Sequence, residues 1–152
     1  MPKITPFLWF DNQAEEAMTF YLSIFESGKV LNVSRMNGQV LTVTFELEGQ
    51  QFMGLNAGPL YKFNEAVSFF VNCETQEEVD EFWEKLSAGG SKGRCGWLKD
   101  KYGLSWQIIP TALGKLLTDP DPEKSKAVLQ AMMKMNKIVI ADLEKAHGGR
   151  AA

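Results

Sequence analysis

The sequence predicts an α+β fold made of two βαβββ modules and a helical extension. Three observations predict it. The chain repeats itself at an offset of 62 residues; each copy opens with a β-rich run leading into a helical stretch; and short glycine turns follow, which join antiparallel strands. At this offset Phe7 falls on Phe69, Glu15 on Glu77, Glu16 on Glu78, Phe20 on Phe82 and Gly28 on Gly90. The apolar pairs Ala17/Val79, Tyr21/Trp83 and Ile24/Leu86 recur at helical spacing in both copies.

The first strand of module one is expected over Ile4–Phe10, and that of module two over Val67–Cys73. Asp11-Asn12 and Glu74-Thr75 follow, and either pair can cap a helix whose first turn holds Glu-Glu. The helices are expected to end near Phe25 and Leu86, ahead of Gly28 and Gly89-Gly90. Strands Val30–Met36, Val40–Glu48 and Gln51–Asn56 complete the first module, with Asn37-Gly38 as a tight hairpin turn. In the second module Lys92–Lys99 and Leu104–Ile109 read as strands, and a further short one is expected near Ser91. Module one thus covers 1–57 and module two 65–110, within one domain spanning 1–110. Residues 111–152 form a helical extension of that domain. Asp121 caps a helix that begins at Pro122 and runs to about Met135, with Val128, Met132 and Met135 on one face. A last helix is expected over Ile140–Ala146.

Composition narrows the function. The net charge is −3, divided into −5 over residues 1–109 and +2 over the remainder, so no basic patch for nucleic acid is visible. No leader-like segment opens the chain and no apolar run spans a membrane, so a cytoplasmic protein is expected, with Cys73 and Cys95 reduced. Glycine-rich phosphate or dinucleotide loops are absent, as is the alternating βα pattern of doubly wound methyltransferases. The one histidine, His147, falls in the tail, where exposure to solvent is expected.

The stretches Ala17–Tyr21, Leu55–Pro59, Phe70–Gln76 and Cys95–Gln107, and the tail runs Gln130–Met135 and Ile138–Glu144, resemble the PhnB-like branch of the vicinal oxygen chelate superfamily. That branch is labelled 3-demethylubiquinone-9 3-methyltransferase-like. The superfamily includes glyoxalase I, bleomycin-resistance proteins and extradiol dioxygenases. The resemblance implies that the modules curl into a mixed sheet forming a cup, and that two copies make a homodimer. Related sequences place a longer loop where this chain has Asn37-Gly38.

Metal-using members set His and Glu on the first and last strands of each module. The corresponding residues here are Thr5, Met53, Val67 and Gln107, which make no tight site for a divalent cation. No metal and no cofactor is therefore expected. Strand alternation then puts Phe7 and Trp9 on the side of Thr5, and Met53 and Gln107 on the corresponding side of the last strands. Aromatic walls with a few polar groups suit a small, flat apolar ligand. The candidate ligand-binding residues are Phe7, Trp9, Met53, Asn56, Cys95, Trp97 and Gln107, with Ser105 a further hydrogen-bonding group. Cys95 reads as a small thiol beside Trp97, and no catalytic residue is assigned. The expected function is metal-independent binding of a small aromatic or apolar molecule. The alternatives are an enzyme on the same cup, whether lyase, isomerase or transferase, with methyl transfer on a quinone-like aromatic among them, and an interaction protein whose cup is filled by its own tail.

Overall fold

A computed structural model describes residues 2–148. The chain divides into two compact units, Met1–Phe63 and Asn64–Ala152. The first unit runs β1 (Phe7–Phe10), α1 (Ala14–Ile24), β2 (Gly28–Met36), β3 (Gln39–Leu47) and β4 (Gln50–Asn56). Its sheet order is β1-β4-β3-β2, with β1 parallel to β4 and the other pairs antiparallel. Two-residue turns set this order. Asn37 and Gly38 have φ of 54° and 79°, and Glu48 and Gly49 have 48° and 83°. Left-handed backbone at both turn positions gives the twist that a tight hairpin needs.

Alternation sorts the first sheet into two faces. Leu8, Phe10, Val43, Phe45 and Phe52 are buried with Ala14, Ala17, Met18 and Tyr21 of α1. The Phe45 and Phe52 rings stack at 5.5 Å. The expected cap by Asp11-Asn12 is not what forms. Gln13 is the cap residue and its side chain makes no capping bond. Asn56, at the end of β4, accepts a hydrogen bond from the Ala14 N–H at 2.8 Å instead, so the helix start is tied to its own sheet.

The second unit repeats the plan with β5 (Ser68–Cys73), α2 (Gln76–Ser87), β6 (Ser91–Lys92), β7 (Trp97–Lys99) and β8 (Ser105–Pro110), in the order β5-β8-β7-β6. Here the predicted cap forms: Thr75 Oγ1 accepts from the Glu78 N–H, and Glu78 in turn accepts from the Glu74 N–H. Val79, Trp83 and Leu86 of α2 are buried with Cys73, Leu98, Trp106 and Ile108 of the sheet. The short strand expected near Ser91 is β6.

Lys92–Lys99 is not one strand. It breaks at 93–96, where Cys95 and Gly96 adopt φ of 58° and 83°. A side chain at Gly96 would meet the Ile108 carbonyl oxygen at 2.9 Å and Ile109 Cδ1 at 2.8 Å. The close approach requires glycine.

Beyond β8 the chain forms α3 (Thr111–Leu117), α4 (Pro122–Met133) and α5 (Ile140–His147). Asp121 caps α4 as predicted, accepting from the Glu123 N–H at 3.0 Å. The short α3 is an addition to the sequence reading. These helices extend the core of the second unit, burying Val128, Ile138 and Leu143 with Ile109 and Leu113. His147 is not freely exposed. Its Nε2 lies 2.7 Å from Asp119 Oδ2, and both side chains are about three-quarters covered.

Two ties fasten the segment before α5. The Cys95 and Gly96 N–H groups donate to the Met135 and Asn136 carbonyls, each at 2.8 Å. Gln76 donates to the Ile138 carbonyl and accepts from the Ile140 N–H.

Candidate functional site

The second sheet has a helix-covered face and an open one. Register places Ser68, Phe70 and Asn72 of β5 beside Ser105, Gln107 and Ile109 of β8, with Trp97 of β7 opposite Gln107 on the other flank. Alternation puts these side chains on the face away from Trp106 and Ile108. There Phe70, Asn72, Cys95, Trp97 and Gln107 line a cavity of about 560 Å³. Its end is walled by α3 and by Met132 of α4.

Three of the seven candidate residues, Cys95, Trp97 and Gln107, thus meet at one cavity within the second unit. The Gln107 amide is oriented: Nε2 donates to Ser68 Oγ at 2.9 Å. Oε1 makes no hydrogen bond among the described residues and is left as an acceptor. Cys95 reaches the wall from the left-handed turn rather than from a strand, which is why strand alternation did not place it. Ser105 is 1% exposed, and its hydroxyl has no hydrogen-bond partner among the described residues.

Phe7, Trp9 and Met53 occupy the matching face of the first sheet, where Phe7 pairs in register with Met53. Phe7 is half exposed. Trp9 is engaged locally: its indole N–H donates to the Gly58 carbonyl at 2.8 Å and its ring meets Tyr61 edge-on at 4.9 Å. Asn56 is on the helix side of that sheet. Its Oδ1 caps α1 and its Nδ2 donates to the Val40 carbonyl, so both ends of the amide are committed to the fold.

The residue corresponding to Thr5 is also corrected. Phe7 stands opposite Met53 as Phe70 stands opposite Gln107, so the first strands repeat at 63, one more than the helices. The partner of Thr5 is Ser68, not Val67, which precedes β5 and is 63% exposed. The corresponding residues are thus Thr5 and Met53 in the first unit and Ser68 and Gln107 in the second. None carries an imidazole, thiolate or carboxylate, so neither pair fits a divalent cation. Among the described residues no three His, Cys, Asp or Glu side chains form a group that could hold a metal ion.

The two thiols differ. Burial pushes the Cys73 thiol up to about 12, with Glu78 and Glu74 adding repulsion, so it stays protonated and inert. Cys95 is partly exposed at the cavity wall. The cavity's amides and hydroxyls can orient a ligand, and none of them titrates near neutral pH.

Two mixed four-stranded sheets, each built as βαβββ, make this a vicinal oxygen chelate fold of the glyoxalase and bleomycin-resistance kind. The family model described as 3-demethylubiquinone-9 3-methyltransferase matches residues 2–109. The chain belongs to that family, the PhnB-like branch of the superfamily. A Bacillus cereus PhnB protein bearing the same family name is 38% identical over 72% of this chain and 100% of its own, with a TM-score of 0.68. The fold is shared with the fosfomycin resistance protein FosX of Listeria monocytogenes, solved with Mn(II) and sulfate, at 15% identity over 70% of this chain and 88% of that one, TM-score 0.51. It is shared also with a glyoxalase/bleomycin resistance/dioxygenase domain of Frankia, at 13% identity over 72% and 92%, TM-score 0.50. No curated protein matches. Among the described residues no helix is long and apolar enough to cross a membrane.

Proposed function

We propose that the chain binds a small aromatic or apolar molecule on the open face of its second sheet, without a metal. The observation that carries this reading is the cavity of about 560 Å³ in which Phe70 and Trp97 meet the oriented Gln107 amide. That volume falls within the range of small-molecule sites, and aromatic walls with few polar groups suit a flat ligand. Methyl transfer, suggested by the family name, would need a second bound reactant and a titrating group beside the ligand. The cavity's amides and hydroxyls supply orientation only, and among its lining residues Cys95 and Lys115 are the groups able to exchange a proton.

The test is a thermal-shift and calorimetric screen of small aromatic compounds, run with and without a chelator on wild type and on Trp97→Ala. Binding that survives the chelator and is lost in the variant supports the proposal. Binding that requires an added metal, or that ignores Trp97, overturns it.

Pairing of two copies belongs to the same reading. Val30, Leu31 and Met36 leave apolar surface exposed on β2. Light scattering at micromolar concentration should give twice the chain mass; a single chain mass removes the pairing.

A further inference from the structure

Resting on the binding reading above, we infer that the ligand is a flat monoanion, and that the helical extension selects its charge. The family match ends at residue 109, yet residues of α3 and Met132 of α4 line the cavity. Lys115 of α3 is the one charged side chain among the cavity's lining residues, and no carboxylate lines the wall. An exposed lysine at the rim of a largely apolar cavity draws an anion, in this case against a chain of net charge −3.

The neutral groups agree with this. The indoles of Trp9 and Trp106 both donate, to the Gly58 carbonyl and to Asp100 Oδ2. The indole N–H of Trp97, a cavity-lining residue, meets no acceptor among the described residues. The Asn72 side-chain amide is likewise unbonded there. Lys115, like Lys29, has no ion-pair partner among the described residues; what sets it apart is its place on the cavity wall. A wall holding spare N–H donors and one cation matches a ligand with an anionic oxygen, such as an aromatic carboxylate or an acidic phenol. The Gln107 amide, anchored by Ser68, then hydrogen-bonds a hydroxyl elsewhere on the ring.

The experiment compares 6-hydroxy-2-naphthoate with 6-hydroxy-2-naphthamide, which share the ring and hydroxyl and differ in charge. Binding to the full chain is read at low salt from the Trp97 indole N–H resonance, assigned with Trp97→Phe. The expected result is a preference for the carboxylate of about fivefold or more, reduced to within about twofold in Lys115→Gln. Lys29→Gln, which removes the same charge from the first unit, should keep the preference. Equal binding of acid and amide to wild type, or a preference that survives Lys115→Gln, overturns the charge assignment and leaves the cavity a binding site. Failure of both compounds to move the Trp97 resonance overturns the binding reading itself.

Discussion

Gln107 and Ser68 are diagonal neighbours on the parallel strands β8 and β5, and the Gln107 Nε2 donates to Ser68 Oγ at 2.9 Å. The bond anchors the amide at the cavity, the serine hydroxyl serving as acceptor for Nε2. Ser68→Ala removes the partner without touching the cavity's apolar walls. Gln107 then regains rotamer freedom, which binding must suppress again. The predicted result is a melting temperature within a few degrees of wild type and ligand affinity lower by about fivefold, the scale of one net hydrogen bond. Calorimetry with the same ligand on both proteins checks it.

Asp100 is 2% exposed and organises the β7–β8 turn. Its Oδ1 accepts from the Tyr102 and Leu104 N–H groups at 2.9 and 3.0 Å, and its Oδ2 accepts from the Trp106 indole at 2.9 Å. Asp100→Ala leaves these donors without their acceptor in or near the core. The predicted loss is about 3 kcal/mol, or about 10 °C in melting temperature. Asp100→Asn keeps an acceptor and should lose less. Chemical denaturation of the three proteins ranks them.

The thiols should label separately. With Cys73 at about 12, its thiolate fraction at pH 8 is on the order of one part in ten thousand. Native protein should therefore react quickly at one thiol per chain, Cys95, and at both after denaturation. A ligand in the cavity should slow the fast reaction. Mass spectrometry of the labelled peptides checks the assignment.

Asp80 ties the start of α2 to the segment before α5. The hydrogen bond from Lys137 Nζ at 2.9 Å, and then that from Gln76, hold its carboxyl below the ordinary value. A lowered folded-state value gives stability that is present at neutral pH and lost as pH falls below about 4. Lys137→Met should therefore be less stable than wild type at pH 7, with the difference shrinking through that acid range. Melting curves from pH 7 to 2.5 check the sign.

Much of the fold was legible because the repeat doubles each signal. Glu-Glu in the first helical turn, the apolar spacing of both helices and Asn37-Gly38 all pointed to the same plan. What was missed depended on distance or on backbone strain. Asn56 caps a helix 42 residues earlier in the chain, which no local pattern encodes. The strand repeat slips to 63 while the helices keep 62, so identities on the helices misdirected Thr5 to Val67. Cys95 read as a strand residue because its left-handed turn lacks Asn or Asp at the first position; Gly96 was the available signal. The face of Gln107 followed from alternation, whereas the wall supplied by α3 lay in the extension, outside the repeat.

The central claim, metal-free binding of a small organic molecule, is tested most directly by native mass spectrometry of gently purified protein with elemental analysis of the same sample. The account predicts a stoichiometric organic mass that is retained natively, lost on denaturation, absent from Trp97→Ala, and unaccompanied by metal. A stoichiometric divalent metal would contradict the reading of Thr5, Met53, Ser68 and Gln107 and return the chain to metal chemistry.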